Sequence, residues 1–193
     1  MPIARSSRYS TVAIGFHWTI AALVIANLVI GFFHDALSGM LPGSGMPMHK
    51  AIGLTVLALS MARVVWRLSH RPPPLPADTA GWEKGMAHAT HWALYLLLLA
   101  LPLTGWLMVS GTDMRRPLTW FGLFDLPYLP VGPQAGALGG GAHGLLGLVM
   151  AALVALHIAA ALRHHLILRD DIMARMMPAL ARDGKMTDRA RRG

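Results

Sequence analysis

The chain contains no cysteine. Disulfides, iron–sulfur clusters and thiolate metal sites are thereby excluded, so metal chemistry has only His, Met and carboxylates to draw on. Charge is also scarce, at 13% of residues, where a soluble domain carries about 25%. With 54% of the 193 residues hydrophobic, much of the surface must face something other than water. No ten-residue alternating pattern is present, which excludes a membrane β-barrel. No internal repeat is evident. The net charge of +8 raises nucleic acid as a partner, but eight of the 17 Lys and Arg lie from Arg163 onward, beside an apolar run. That placement suits a membrane-surface tail instead.

Four long apolar stretches are present: Val12–Phe33, His49–Leu68, His88–Ser110 and His143–Leu168. Each reaches the ~20 residues a helix needs to cross a ~30 Å hydrocarbon layer. The pattern predicts an all-α, transmembrane four-helix bundle as one domain over 1–178, followed by a disordered basic tail at 179–193. The first stretch, with His17 and Asn27 inside it, is too long for a signal-peptide core.

The connections differ in character. The first, His34–Met48, is rich in Gly and Pro and holds no Lys or Arg. The second carries the stiff run Pro72–Pro74 and Pro76. The third contains an aromatic stretch, Trp120–Tyr128, which reads as interfacial, and Gly139–Gly141, which reads as a hinge. The N-terminus, second connection and tail, with Arg63 and Arg67, hold 14 basic residues; the first and third connections with Lys50 hold three. The positive-inside rule then puts both termini in the cytoplasm. Arg63, about 21 Å beyond His49 on the helix axis, is expected to snorkel at the inner boundary.

Ten histidines is a large supply for so apolar a chain, and metal-binding groups inside membrane helices default to functional readings. His17 and His157 fall toward the inner leaflet, His49 and His143 at the outer one. On the last helix, His143 and His157 are 14 residues apart, which returns to within about 40° of one face and roughly 21 Å along the axis. Two histidine pairs at two heights follow, each able to grip one haem iron and leave no open position for oxygen. Gly15, Gly53, Gly144 and Gly147 lie near these histidines and would admit a flat macrocycle. The bland reading, interhelical hydrogen-bonding histidines, does not explain matched depths.

His164 shares the face of His157 within about 20°. It stands either beside a quinone, where it could relay protons, or as a surface histidine favoured by the helix C-terminus. His165 points toward the headgroups. His88 and His91, three apart at the inner start of the third helix, could hydrogen-bond a haem propionate or line a quinone pocket. His91 is also the rival ligand for the inner iron. His34 and His70 receive no role. The 13 methionines are scattered and read as gap fillers; Arg115 and Arg116 form an outer cationic pair that anchors to lipid or attracts a small anion.

Several segments in order carry a family resemblance: Phe16-His17-Trp18; His49 running to Ala62-Arg63-Val64; Ala87-His88-Ala89-Thr90-His91; Leu101-Pro102-Leu103-Thr104-Gly105; and His143, His157-Ile158-Ala159 and His164-His165. From Arg8 to Pro178 the chain resembles the bacterial cytochrome b561 family. The resemblance implies a four-helix inner-membrane protein with two b haems that passes electrons to or from ubiquinone. It carries axial ligation onto His17, His49, His143 and His157. One branch oxidises superoxide at the periplasmic face, and its His-His pair matches His164 and His165, the first being linked to quinone. The expected function is electron transfer across the inner membrane between a periplasmic donor (superoxide or a redox protein) and ubiquinone. The rivals are a haem b subunit of a larger respiratory dehydrogenase and, in a different class, a histidine-based metal-ion transporter.

Overall fold

The computed structural model describes residues 9–40, 45–70, 81–112, 117–170 and 172–177, with backbone only at 38–40. Four helices are long and apolar enough to cross a membrane: α1 (Thr11–Phe32), α3 (Gly45–Ser69), α4 (Gly81–Ser110) and α5 (Pro133–Arg163). The last runs on through a π-helical turn, His164–Leu168. Two short helices, α2 (His34–Met40) and α6 (Ile172–Met176), flank the bundle. The expected all-α transmembrane four-helix bundle is what the chain forms, with one small addition. The aromatic stretch of the third connection folds as an antiparallel hairpin, β1 (Thr119–Trp120) with β2 (Phe124–Asp125).

The helix ends have local causes. Ser10 caps α1, its Oγ accepting from the Ala13 N–H at 3.2 Å, which satisfies one of the donors a helix start leaves open. Pro133 opens α5 at a position where a missing N–H costs nothing. Pro102 sits inside α4 and removes one ladder bond. Nearby, the Thr104 hydroxyl donates back to the carbonyls of Ala100 and Leu101 at 2.8 and 2.9 Å.

The bundle core is thin and central. Ile20 and Val24 of α1, Ile52 and Val56 of α3, Leu97 and Leu98 of α4 and Met150 of α5 form one buried cluster. In each helix these residues lie between an outer and an inner polar position, so the core is a seam separating two levels of the bundle. Outside it, Leu96, Leu103, Leu138, Leu145 and Leu148 are exposed. An apolar belt of this kind is a liability in water and a match for lipid.

The structure extends three of the expected helices, α3 by four residues back to Gly45 and two others further. α4 begins at Gly81 rather than His88, and α5 at Pro133 rather than His143. Both additions lie beyond the apolar stretch, where hydropathy falls but helix formation continues. Gly139–Gly141 is therefore not a hinge. A Cβ on Gly139 would stand 2.9 Å from the Met108 backbone nitrogen, so the glycine lets α5 lie directly on α4. Arg63 does not reach outward either: its guanidinium turns into the bundle, against His17 and Tyr95. The Pro72–Pro76 run, Arg115, Arg116 and the tail at 179–193 lie outside the described residues.

The bundle also contains a repeat that residue order conceals. His91, Leu101 and Gly105 each follow His17, Asn27 and Gly31 by 74 positions. His143, Gly147 and His157 each follow His49, Gly53 and Arg63 by 94. The hairpin α1–α3 and the hairpin α4–α5 thus correspond in register, with histidine on histidine and glycine on glycine, except that Arg63 stands where α5 has His157.

Candidate functional site

At the outer level, His49 from α3 faces His143 from α5, with ring centres 5.9 Å apart and planes at 88°. The two half-sites are built alike. His49 Nδ1 lies 3.1 Å from the carbonyl oxygen of Asn27 on α1, and His143 Nδ1 lies 2.9 Å from that of Leu101 on α4. A carbonyl only accepts, so each neutral ring carries its proton on Nδ1 and leaves Nε2 unprotonated. One turn further along each accepting helix is a glycine. A Cβ on Gly31 would meet His49 Cε1 at 2.9 Å, and one on Gly105 would meet His143 Cε1 at 3.1 Å. Only a glycine lets each imidazole lie this close to the neighbouring helix.

Around this pair is a cavity of about 580 Å³, lined by both histidines with Asn27, Gly53, Gly105 and Met150 among others. It falls within the ~300–1,000 Å³ usual for cofactor-sized ligands. Asn27 Oδ1 is buried with no hydrogen-bond partner among the described residues. The segment 117–131 closes over the outer end. Trp120 Nε1 donates to Thr55 Oγ1 at 3.0 Å, Trp106 Nε1 to the Pro127 carbonyl at 3.0 Å, and Lys50 Nζ to the Pro117 carbonyl at 2.9 Å.

At the inner level, His17 of α1 faces His157 of α5 at 6.2 Å between ring centres, with planes at 74°. His91 of α4 also faces His157, at 5.6 Å. The level is thus a cluster of three imidazoles around His157, with Arg63 Nη1 3.5 Å from His17 Nδ1. His88 is exposed and its Nδ1 bonds the Lys84 carbonyl of its own helix at 2.7 Å, so it stands apart from this cluster. His164 lies in the π-helical turn, its Nδ1 2.5 Å from Asp170 Oδ2. Arg169 between them adopts a left-handed conformation, φ 55°, and Asp170 Oδ1 accepts from the Ile172 N–H at 3.0 Å. His34 pairs with neighbouring Asp35, and its Nδ1 lies 3.1 Å from the carbonyl of Gly31, while His70 stacks on Trp66; neither ring is stacked on a histidine of either level.

Imidazole–metal bonds of about 2.0–2.1 Å place the centres of two rings sharing one ion about 6 Å apart. Both the outer pair and the His17–His157 pair have that spacing. Residues 8–179 match the family described as prokaryotic cytochrome b561. The chain belongs to that family. Its members include "Cytochrome b561 homolog 2" of Escherichia coli (strain K12), 35% identical over 176 residues covering 88% of this chain and 91% of the relative. "Probable superoxide oxidase CybB" of Yersinia pestis is 33% identical over 181 residues, 89% and 96% of the two chains. "Cytochrome b562" of Cereibacter sphaeroides is 30% identical over 175 residues, 88% and 94%.

Membership makes this chain a bacterial membrane cytochrome of the b type, an electron-transfer protein. The metal-ion transporter reading gives way to it. The residues present fit a haem. At the outer level two imidazoles border one cavity, small residues flank them, and each ring has a carbonyl on Nδ1 that fixes its tautomer and leaves Nε2 free to bind a metal, as ligating histidines usually do. Sequence reasoning found all four of these histidines. It missed Asn27 and Leu101, whose backbone oxygens do the orienting, and Gly31 and Gly105, which admit the rings.

Proposed function

We propose that the chain conducts electrons across the bacterial inner membrane through two b haems, from a periplasmic donor to ubiquinone. His49 and His143 would hold the outer haem; His17 and His157 would hold the inner one. The observation that carries this reading is the recurrence, at two heights about 21 Å apart, of imidazole pairs with ring centres 5.9 and 6.2 Å apart. Haem bound between two imidazoles stores one electron and offers no axial position to oxygen.

The protein's own part is to hold and insulate. Backbone carbonyls of Asn27 and Leu101 lock the outer rings, and the apolar seam from Ile20 to Met150 keeps water out between the levels. Both termini would face the cytoplasm, following the 14-to-three division of basic residues. At that side His164, paired with Asp170, would pass protons to ubiquinone; each quinone reduced to quinol takes two electrons and two protons. Superoxide is the leading donor, because a relative of similar length carries the name of a superoxide oxidase. A redox protein docking on the outer cap is the other donor class. A role as haem subunit of a larger dehydrogenase predicts a second chain that copurifies.

Pyridine haemochrome analysis of the purified chain should give two haems per polypeptide, and His143→Ala should leave one. A single haem in the wild-type chain, or loss of both in the variant, contradicts the two-site reading. Stopped-flow mixing of the oxidised protein with superoxide tests the donor: absence of fast haem reduction removes superoxide.

A further inference from the structure

The repeat between the hairpins is faithful at the outer level and broken at the inner one. Outside, imidazole matches imidazole, carbonyl matches carbonyl and glycine matches glycine. Inside, His17 matches His91, but the counterpart of His157 is Arg63. One of four equivalent inner positions therefore carries a permanent positive charge, since guanidinium does not deprotonate in proteins.

That charge is held inside the bundle. Arg63 Nη1 lies 3.5 Å from His17 Nδ1, and its Cζ stands 5.3 Å from the centre of the Tyr95 ring. Tyr95 has Ala21 as its counterpart in α1, so the ring that holds Arg63 is itself present in one hairpin only. Arg67 packs against the same ring at 5.4 Å. Among the described residues, neither arginine forms a salt bridge with a carboxylate. The outer rings touch neutral carbonyls, and the cation that lines their cavity, Lys50, directs its Nζ to the Pro117 carbonyl of the outer cap at 2.9 Å.

We propose that Arg63 is a positioning residue for electron flow, raising the reduction potential of the inner haem above that of the outer one. The inference rests on the two-haem reading. A fixed cation beside one axial imidazole favours the iron state of lower positive charge, the ferrous one, and a low-dielectric interior screens the effect weakly. A haem propionate reaching Arg63 would leave the direction unchanged, because the guanidinium then cancels a negative charge near the iron. Among the described residues no guanidinium lies against either outer imidazole, so an outer haem would not share this contact. Electrons entering from outside therefore run downhill to the inner level, and the direction of transfer is written into a single broken equivalence.

The test is a spectroelectrochemical titration of the full chain carrying its haems, with His143→Ala identifying which component is the inner one. Arg63→Gln should shift the inner ferric-to-ferrous ratio at fixed potential about tenfold toward ferric, equivalent to 59 mV for a one-electron couple. The outer component should stay in place. Arg63→Lys, which keeps the charge, should restore most of the wild-type value. Tyr95→Leu, which releases the guanidinium without removing it, should give a smaller shift in the same direction. An unchanged inner midpoint in Arg63→Gln, or equal shifts in both components, overturns the proposal. Should Arg63→Gln fail to retain the inner haem, Arg63→Lys near wild type with Tyr95→Leu shifted downward supports it. Any other pattern in those two variants overturns it. A wild-type chain with fewer than two haems contradicts the underlying reading; two haems with the wrong response contradict only the role of Arg63.

Discussion

Gly31→Ala is a small change with a large expected effect on the outer site. The added methyl would stand 2.9 Å from His49 Cε1, whereas ordinary contact begins at 3.4 Å. The ring must retreat by about 0.5 Å, the tolerance within which a functional constellation usually has to be held. Its Nδ1 bond to the Asn27 carbonyl, already 3.1 Å, resists that movement. Overpacking of this kind costs about 1–3 kcal/mol, which converts to a loss of about 5- to 150-fold in outer haem affinity. Gly105→Ala, where the corresponding contact is 3.1 Å, requires a smaller retreat and should do less. Gly85→Ala is the control, since a Cβ there meets nothing within 4 Å. The assay is haem retention during dilution in detergent, read from the reduced-minus-oxidised spectrum against protein concentration. Full outer haem retention in Gly31→Ala, or equal loss in Gly85→Ala, would refute the argument that glycine is there to admit the ring.

The remaining predictions concern the inner half. His17→Ala should lose the inner haem and His91→Ala should keep it, because the family pattern carries ligation onto His17, although both rings stand close to His157, at 6.2 and 5.6 Å; the reverse result in haem content would transfer ligation to His91. Asp170→Asn should leave haem content unchanged and slow quinol formation about tenfold or more, the effect of losing one charge-assisted hydrogen bond. Quinol formation at the wild-type rate would detach the His164–Asp170 pair from the quinone reaction.

The helices and the paired histidines were legible because both are written in side chains at regular spacing. An apolar run of twenty residues specifies a membrane helix, and equal depth specifies which histidines can meet. The starts of α4 and α5 were not legible, because Gly81–Ala87 and Pro133–Ala142 lie beyond the apolar signal while the backbone goes on coiling. Gly139–Gly141 looked flexible in isolation, yet its neighbour α4 makes it a packing surface. The repeat stayed hidden because only a few positions carry it; the apolar residues between them are interchangeable, and Arg63 against His157 disguises the register. Asn27 and Leu101 act through backbone oxygens, which no residue name announces. Arg63 was placed by its height, but height could not say that Tyr95 would draw it inward.

Because each hairpin brings one imidazole, one glycine and one carbonyl to the outer chamber, that chamber does not depend on the two halves being different. Two copies of α4–α5 alone carry His143, Leu101 and Gly105 twice, and also His91 and His157, so such a fragment pairing with itself has every ligand type for both tiers. Two copies of α1–α3 carry His49, Asn27 and Gly31 twice but no equivalent of His157. The lower tier is where the halves have become unlike, with His157 in one hairpin and Arg63 in the other, so a symmetrical pair could not reproduce the charge difference that this one chain contains.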